Sequence, residues 1–163
     1  MGDAKNRRLE KEKESRKKLA IAASAERRKN QLSAWVVEHG TDNQKKRFKE
    51  GFLPEDEIVY AIRDQAFAPL ADEPRYEKLT KGDVCDSDED WHHDVGFNVY
   101  DADKLSAEEF DKLESLRGIM PEATITPRMH IGECDECETR VRRVSFKVTM
   151  VVGELTLTRE YGM

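Results

Sequence analysis

Aromatic side chains are absent from the first 34 residues of this 163-residue chain. All six Phe, both Trp and all four Tyr lie at or after Trp35. Large aromatic side chains supply much of the apolar area that a core buries, so we expect the core to begin near residue 32. The sequence therefore predicts a basic helical arm over residues 1–30 and a single compact domain over residues 31–163.

Helix patterns dominate residues 1–70, of which 31–70 form the predicted helical part of the domain. No Gly or Pro interrupts residues 3–39, which predicts one long helix, either continuous or broken near Lys29. Thr41 is followed three residues later by Gln44, a capping box that begins a short second helix. A third helix follows, so a helix-turn-helix with residues 44–49 at DNA is an alternative to ordinary helix packing.

Strand patterns dominate residues 121–163, after an acidic middle segment over residues 71–120 that contains one helix capped by Ser106. Apolar and polar residues alternate over residues 144–152, and a Gly153-Glu154 turn leads into a return strand, which predicts a hairpin. An earlier strand near residues 123–129 carries Pro127, which favours an edge position. The predicted fold class is α+β: a long basic N-terminal helix, short helices, and a small antiparallel sheet with a C-terminal hairpin.

The three cysteines predict a zinc site that staples this fold. Cys134 and Cys137 have the two-residue spacing of a zinc knuckle, and Cys85 with His92 completes a closed Cys3His ligand set, typical of structural zinc. His93 and His130 are alternative fourth ligands. Ordinary reduced thiols or redox-active cysteines are the competing interpretations. The knuckle and its hairpin resemble one half of a zinc ribbon, although the first CxxC pair of that family is absent.

Charge is distributed unevenly along the chain, whose net charge is −6. Residues 1–50 carry a net charge of +7, and residues 51–163 a net charge of −13. Basic side chains bind nucleic acid through phosphate contacts and counterion release, although the interleaved glutamates also suit a solvated helix with its own ion pairs. The predicted phosphate-binding residues are Arg7, Arg8, Lys11, Arg16, Lys17, Lys18, Arg27, Arg28, Lys29, Arg142 and Arg143.

Enzyme motifs are missing: there is no phosphate-binding loop, no Rossmann glycine pattern and no nucleophile elbow. The sequence thus favours a non-enzymatic accessory protein that docks on a nucleic acid or a nucleoprotein complex. One alternative is an inhibitor or adaptor whose acidic belt, residues 72–114, mimics nucleic acid on a basic protein surface. Another is a metal-dependent hydrolase built on Asp90, His92, His93 and Asp94.

The cellular location and any small-molecule partner of this chain can be predicted only from its composition. No apolar run approaches the ~20 residues of a membrane span, and no apolar segment of a secretory signal follows Met1. Three cysteines, an odd number, suit a reducing compartment better than a disulfide framework. We therefore expect a cytoplasmic protein with no membrane partner and no small-molecule substrate.

Overall fold

The computed structural model describes residues 2–85 and 94–163. These residues form an α+β fold, as predicted. Its helices are α1 (Gly2–His39), α2 (Asp42–Lys49), α3 (Glu55–Ala66), a short 3-10 helix (Ala68–Leu70), α4 (Lys81–Val84) and α5 (Ala107–Ile119). Its strands are β1 (Val95–Asp101), β2 (Thr124–Cys134), β3 (Arg140–Val152) and β4 (Leu155–Tyr161). Among the described helices, none is long and apolar enough to cross a bilayer.

The chain divides into two compact units. The first contains residues up to Gln65 together with Val151–Leu155, and the second contains Ala66–Met150 and Thr156–Met163. The predicted boundary between residues 30 and 31 falls inside α1 and stays a prediction.

In the first unit, α1 is continuous through Lys29 and ends at His39. Its side chains before residue 31 are exposed except for the half-buried Ser24, because this part has almost no apolar stripe to bury. The buried face begins only at Leu32 and Val36. The predicted capping box of α2 is present, with the Gln44 N–H donating to the Thr41 hydroxyl over 3.1 Å.

The β3–β4 turn belongs to the same unit and contacts α1 through Gln31. The Gln31 side chain donates to the Val152 carbonyl over 2.8 Å and accepts from the Glu154 N–H over 2.9 Å. Gly153 has a φ of 59°, and a Cβ there would lie 2.6 Å from the Gln31 side-chain oxygen. Arg27 adds a 2.7 Å ion pair with Glu154.

In the second unit, the four strands lie in the order β1-β2-β3-β4. The predicted hairpin is confirmed as β3 and β4, but the edge position predicted for the Pro127 strand is wrong, because β2 is internal. Pro127 pairs with Phe146 of β3, and β1 ends at Asp101, opposite Arg128. Pro127 therefore lies at the end of the β1 ladder, where its carbonyl accepts from the Ala102 N–H but no Pro127 N–H exists to donate back.

The two faces of the sheet differ because side chains alternate along each strand. One face carries buried apolar residues, including Ile131, Phe146 and Val148, and α5 contacts β2. The opposite face carries Cys134, His130 and Ser145, which are buried as well, and α4 contacts β2 there. The polar face, and not the apolar core, therefore holds the candidate site.

Candidate metal centre

The three cysteines converge at one end of the sheet. Cys85 follows α4 directly, Cys134 is the last residue of β2, and Cys137 lies in the turn before β3. Their sulfur atoms all lie within 4.8 Å of one another, and the Cys85 and Cys137 Sγ atoms are 3.3 Å apart. The described residues thus contain a three-thiol cluster that can hold a metal ion.

Backbone hydrogen bonds shape the turn that presents Cys134 and Cys137. The Cys134 N–H donates to the Thr139 carbonyl over 2.9 Å, and the Glu138 N–H donates to the Cys134 carbonyl over 3.0 Å. Glu138 has a φ of 56°, a left-handed conformation that reverses the chain. The Cys137 N–H lies 3.4 Å from the Cys134 sulfur, so the turn also offers an amide donor to a thiolate at Cys134.

Close packing of α4 against β2 positions Cys85. Val84 and Cys85 form a buried cluster with Cys134, and Val95 and Val141 pack against it. Gly132 makes the approach possible, because a Cβ at that position would lie only 2.5 Å from the Val84 side chain.

A second contact, on the polar side, anchors α4. Asp83 caps α4 by accepting from the Thr80 N–H over 2.7 Å, and it forms a 3.1 Å ion pair with Arg143 of β3. The hydrogen bonds from Thr80 and the charge of Arg143 lower the pKa of Asp83, so the carboxylate is charged and holds α4 to the sheet. Cys85 at the end of α4 is thereby held beside the β2–β3 turn.

The thiol cluster suits a dication better than redox chemistry. The hydrogen bond with Cys85, followed by desolvation and the hydrogen bond with Cys134, raises the pKa of Cys137 to about 12. None of the three cysteines lies at a helix N-terminus, the position that lowers a thiol pKa. Tetrahedral zinc with Zn–S bonds of ~2.3 Å separates thiolates by ~3.8 Å, which is compatible with the spacing observed here.

His130 lies outside the cysteine cluster and has partners of its own. Its Nε2 atom is 2.7 Å from the Ser145 hydroxyl and 3.9 Å from a Glu160 carboxylate oxygen, and its ring stacks on Tyr76 at 4.1 Å. Burial lowers the pKa of His130, and nearby Arg128 acts in the same direction, while Glu160 partly opposes both. His92, His93 and Asp90 lie outside the described residues.

Comparison with known proteins identified no similar protein. No family model, no curated protein and no solved structure matches this chain. Function is therefore inferred from the residues themselves.

The predicted phosphate-binding residues fall into two groups. Arg8, Lys18 and Arg27 form ion pairs with Glu12, Glu14 and Glu154, and Arg142 and Arg143 pair with Glu109 and Asp83 of their own unit. The others make no ion pair with any described residue. These unpaired bases, all on α1, are Arg7, Lys11, Arg16, Lys17, Arg28 and Lys29.

Sequence analysis missed the polar groups around His130 and the ion pair between Arg142 and the buried Glu109 carboxylate. Glu109 accepts from the Ser106 N–H at the start of α5, and it also accepts two hydrogen bonds from Arg142 Nη1, at 3.0 and 3.1 Å. The β2–β3 register places His130 opposite Arg143, next to Ser145. If β2 and β3 are aligned in the sequence as a hairpin around the Cys134–Cys137 turn, the alignment predicts that His130 and Ser145 are neighbours.

Proposed function

We propose that this chain is a non-enzymatic accessory protein that docks on double-stranded nucleic acid, free or in a nucleoprotein complex. The exposed half of α1 makes the phosphate contacts. A structural zinc ion held by Cys85, Cys134 and Cys137 stabilises the sheet unit, with His92 or His93 as the fourth ligand.

The observation that carries the docking proposal is the unpaired basic surface of α1. Residues 1–22 carry eight basic and four acidic side chains, and they are exposed throughout the described part. Arg7 and Lys11, two of the unpaired bases, are four residues apart, so they lie on one face of the helix. A single helix of this kind fits the ~12 Å wide major groove or lies along the backbone, where basic side chains neutralise phosphates.

The zinc proposal is supported by the donor set and its placement. Three thiolates form most of a closed tetrahedral site, and they join α4 to the β2–β3 turn. Because metal binding to a site that forms only on folding contributes directly to folding free energy, zinc would stabilise the second unit without taking part in a reaction.

Duplex binding by truncated and full chains tests the docking proposal. A fluorescein-labelled duplex of about 20 base pairs is titrated with the full chain and with residues 23–163, which keep Ser24 and Arg27 at Glu154. We expect the truncated chain to stay folded and to lose most of its affinity and salt dependence. Equal affinity of the two chains would overturn the proposal.

A matched pair of double variants separates phosphate binding from net charge. Lys11→Gln with Lys17→Gln removes two unpaired bases of α1, and Lys78→Gln with Lys104→Gln removes two exposed bases of the acidic unit. We expect the α1 variant to reduce the slope of log K against log salt concentration by about one for each phosphate that is no longer neutralised. The second variant should leave the slope unchanged, and equal effects would argue against a site on α1.

A further inference from the structure

The outer edge of β1 is unpaired in the described part of the chain. β1 pairs with β2 one residue to one residue, from Val95 opposite Cys134 to Asp101 opposite Arg128, without a bulge. No described strand pairs with its other side. The edge strand at the opposite side of the sheet, β4, is partly covered: Arg75 forms a bridge with Tyr161, and the Tyr76 N–H donates to the Glu160 carbonyl.

Two hydrogen bonds identify the backbone groups that point outward from β1. The Asp94 carbonyl accepts from the Asp135 N–H, and the Ala102 N–H donates to the Pro127 carbonyl, so even-numbered residues face β2. In an antiparallel strand the N–H and C=O of one residue point the same way, and successive residues alternate. Val95, Phe97, Val99 and Asp101 therefore present donors and acceptors at the free edge.

Over residues 95–100, β1 carries none of the sequence features that protect an edge strand. Proteins block such edges with charged residues, Pro or bulges, and residues 95–100 contain no charge and no Pro. Phe97, Val99 and Tyr100 are each about half exposed, at 46%, 47% and 50%.

We propose that β1 binds an extended segment of a partner protein by strand addition. Main-chain hydrogen bonds to Val95, Phe97 and Val99 supply the affinity, and apolar side chains of the segment cover Phe97 and Val99. Asp94 lies at one end of β1, and Asp101 and Asp103 lie at the other. The partner segment is therefore apolar and alternating, with Lys or Arg at both ends.

Charge argues against a second copy of this chain as the occupant. An antiparallel pair of β1 strands centred on Asn98 would place Asp101 opposite Val95 of the other copy, next to Asp94 of that copy. Acidic residues would then meet at both ends of the pair, and like charges across strands are destabilising. A segment with basic ends forms opposite-charge pairs at the same positions. The inference depends on neither the metal nor the nucleic acid.

The first test uses a synthetic probe with basic ends. The acetylated and amidated peptide Lys-Lys-Thr-Val-Thr-Val-Thr-Val-Lys-Lys is labelled, and its anisotropy is measured with the full chain. Its control has Glu in place of each Lys. We expect the basic peptide to bind at least about tenfold more tightly, equivalent to ~1.4 kcal/mol. Equal affinity, or no binding of either peptide, overturns the inference.

Two further variants test the backbone edge itself. Val99→Pro removes an outward N–H, a change that an edge strand tolerates, and Val99→Thr keeps that N–H. Both variants change the Val99 side chain, but only the Pro variant loses the N–H. We therefore expect the Pro variant to bind the peptide at least about tenfold more weakly than the Thr variant, with circular dichroism to confirm folding.

Methylating the peptide gives a readout that does not depend on the variant's folding. Two methylated peptides are made, one with N-methyl groups on the Val residues and one with N-methyl groups on the Thr residues. Each blocks the N–H groups along one edge of the extended peptide. We expect the peptide whose blocked edge faces β1 to lose binding and the other peptide to keep it. Equal binding by both methylated peptides or by Val99→Pro would overturn the inference. A dimer of the full chain that Val99→Pro abolishes would overturn it too, because the occupant would then be a second copy.

Discussion

Cys85 and Cys137 are 52 positions apart in the chain, yet their sulfur atoms lie 3.3 Å from each other. The intervening chain includes β1, α5 and β2. A metal ion bound to both, and to Cys134, would therefore close a long loop, and its binding free energy would add to the stability of the second unit.

Removing a thiol should remove the metal and lower stability together. We expect the full chain, purified without chelator, to contain about one zinc ion, and Cys85→Ser or Cys134→Ser to contain little. Elemental analysis with thermal unfolding checks both results. His130→Asn is the control, because His130 lies outside the cluster and should leave the metal content unchanged. Full zinc content in the triple Cys→Ser variant would contradict the site.

The fourth ligand is decided by comparing His92→Ala with His93→Ala. We expect one of the two variants to bind zinc more weakly in a chelator competition, by the 10-fold or more typical of altered metal sites. The other should match the unchanged chain. Equal affinity of both variants would exclude a histidine from this pair as the ligand.

Gly132 is predicted to be required for the contact between α4 and β2. A Cβ at residue 132 would lie 2.5 Å from the Val84 side chain and 3.3 Å from the Phe97 ring, so we expect Gly132→Ala to lower the free energy of unfolding by ~1–3 kcal/mol. Gly96→Ala in β1 is the matched control, because a Cβ there meets nothing within 4 Å. Urea unfolding measures both variants, and equal losses would contradict the packing described.

Glu109 is predicted to stabilise the second unit only when it is charged. Burial raises the pKa of Glu109, but hydrogen bonds from Arg142 and from the Ser106 N–H outweigh it, so that the pKa is lowered overall. A lowered pKa means that the stabilisation is complete above the unfolded pKa of ~4.3 and is lost as the pH falls below it.

Glu109→Gln should therefore cost about 2 kcal/mol at neutral pH, because the charge-assisted hydrogen bonds of a buried carboxylate are lost, and less under acid conditions. Glu114→Gln on the same helix is its control, since the Glu114–Arg117 pair is half exposed and exposed pairs contribute less than ~1 kcal/mol. Urea unfolding from pH 7 to about pH 3 measures both variants. An equal loss in the two variants would show that burial of Glu109 is not important.

His130 should make the fold sensitive to mild acid. Burial lowers its pKa, so the folded state favours the neutral ring. The stability that the neutral ring contributes to the fold is present above the unfolded pKa of ~6.5 and is lost as the pH falls below it. Glu160, Arg128, Ser145 and Tyr76 surround the ring, and only Glu160 favours the charged form.

We expect His130→Gln to flatten the fall in stability below about pH 6.5. His39→Gln, at the exposed end of α1, should not change that profile. Thermal unfolding across this pH range is the measurement, and an identical acid profile for His130→Gln and the unchanged chain would contradict the prediction.

Local patterns were enough to predict α1, α2, α3, α5 and the β3–β4 hairpin, but not α4. The capping boxes at Thr41 and Ser106, the turn at Gly153 and the alternation of β3 depend on residues a few positions apart, so the sequence indicates them directly. Chemistry also identified Cys85, Cys134 and Cys137 as a group, because only three cysteines exist and two have ligand spacing. The α+β class followed from these elements, and the structure confirms it.

Pairing between distant segments was decided only by the tertiary structure. Pro127 suggested an edge, but β1 added a neighbour to β2 and stopped before the proline. Arg142 was predicted to bind phosphate, but α5 placed Glu109 beside it, 33 positions away. No role for Gln31 was predicted from the sequence, but in the structure its side chain hydrogen-bonds the β3–β4 turn. The sequence by itself therefore determined the main helices, the hairpin and the group of three thiols, because local backbone preferences and ligand spacing specify them. The polar partners of Gln31, Arg142 and His130 were decided only by the tertiary structure, because strand register and helix packing bring them together and no local pattern encodes these.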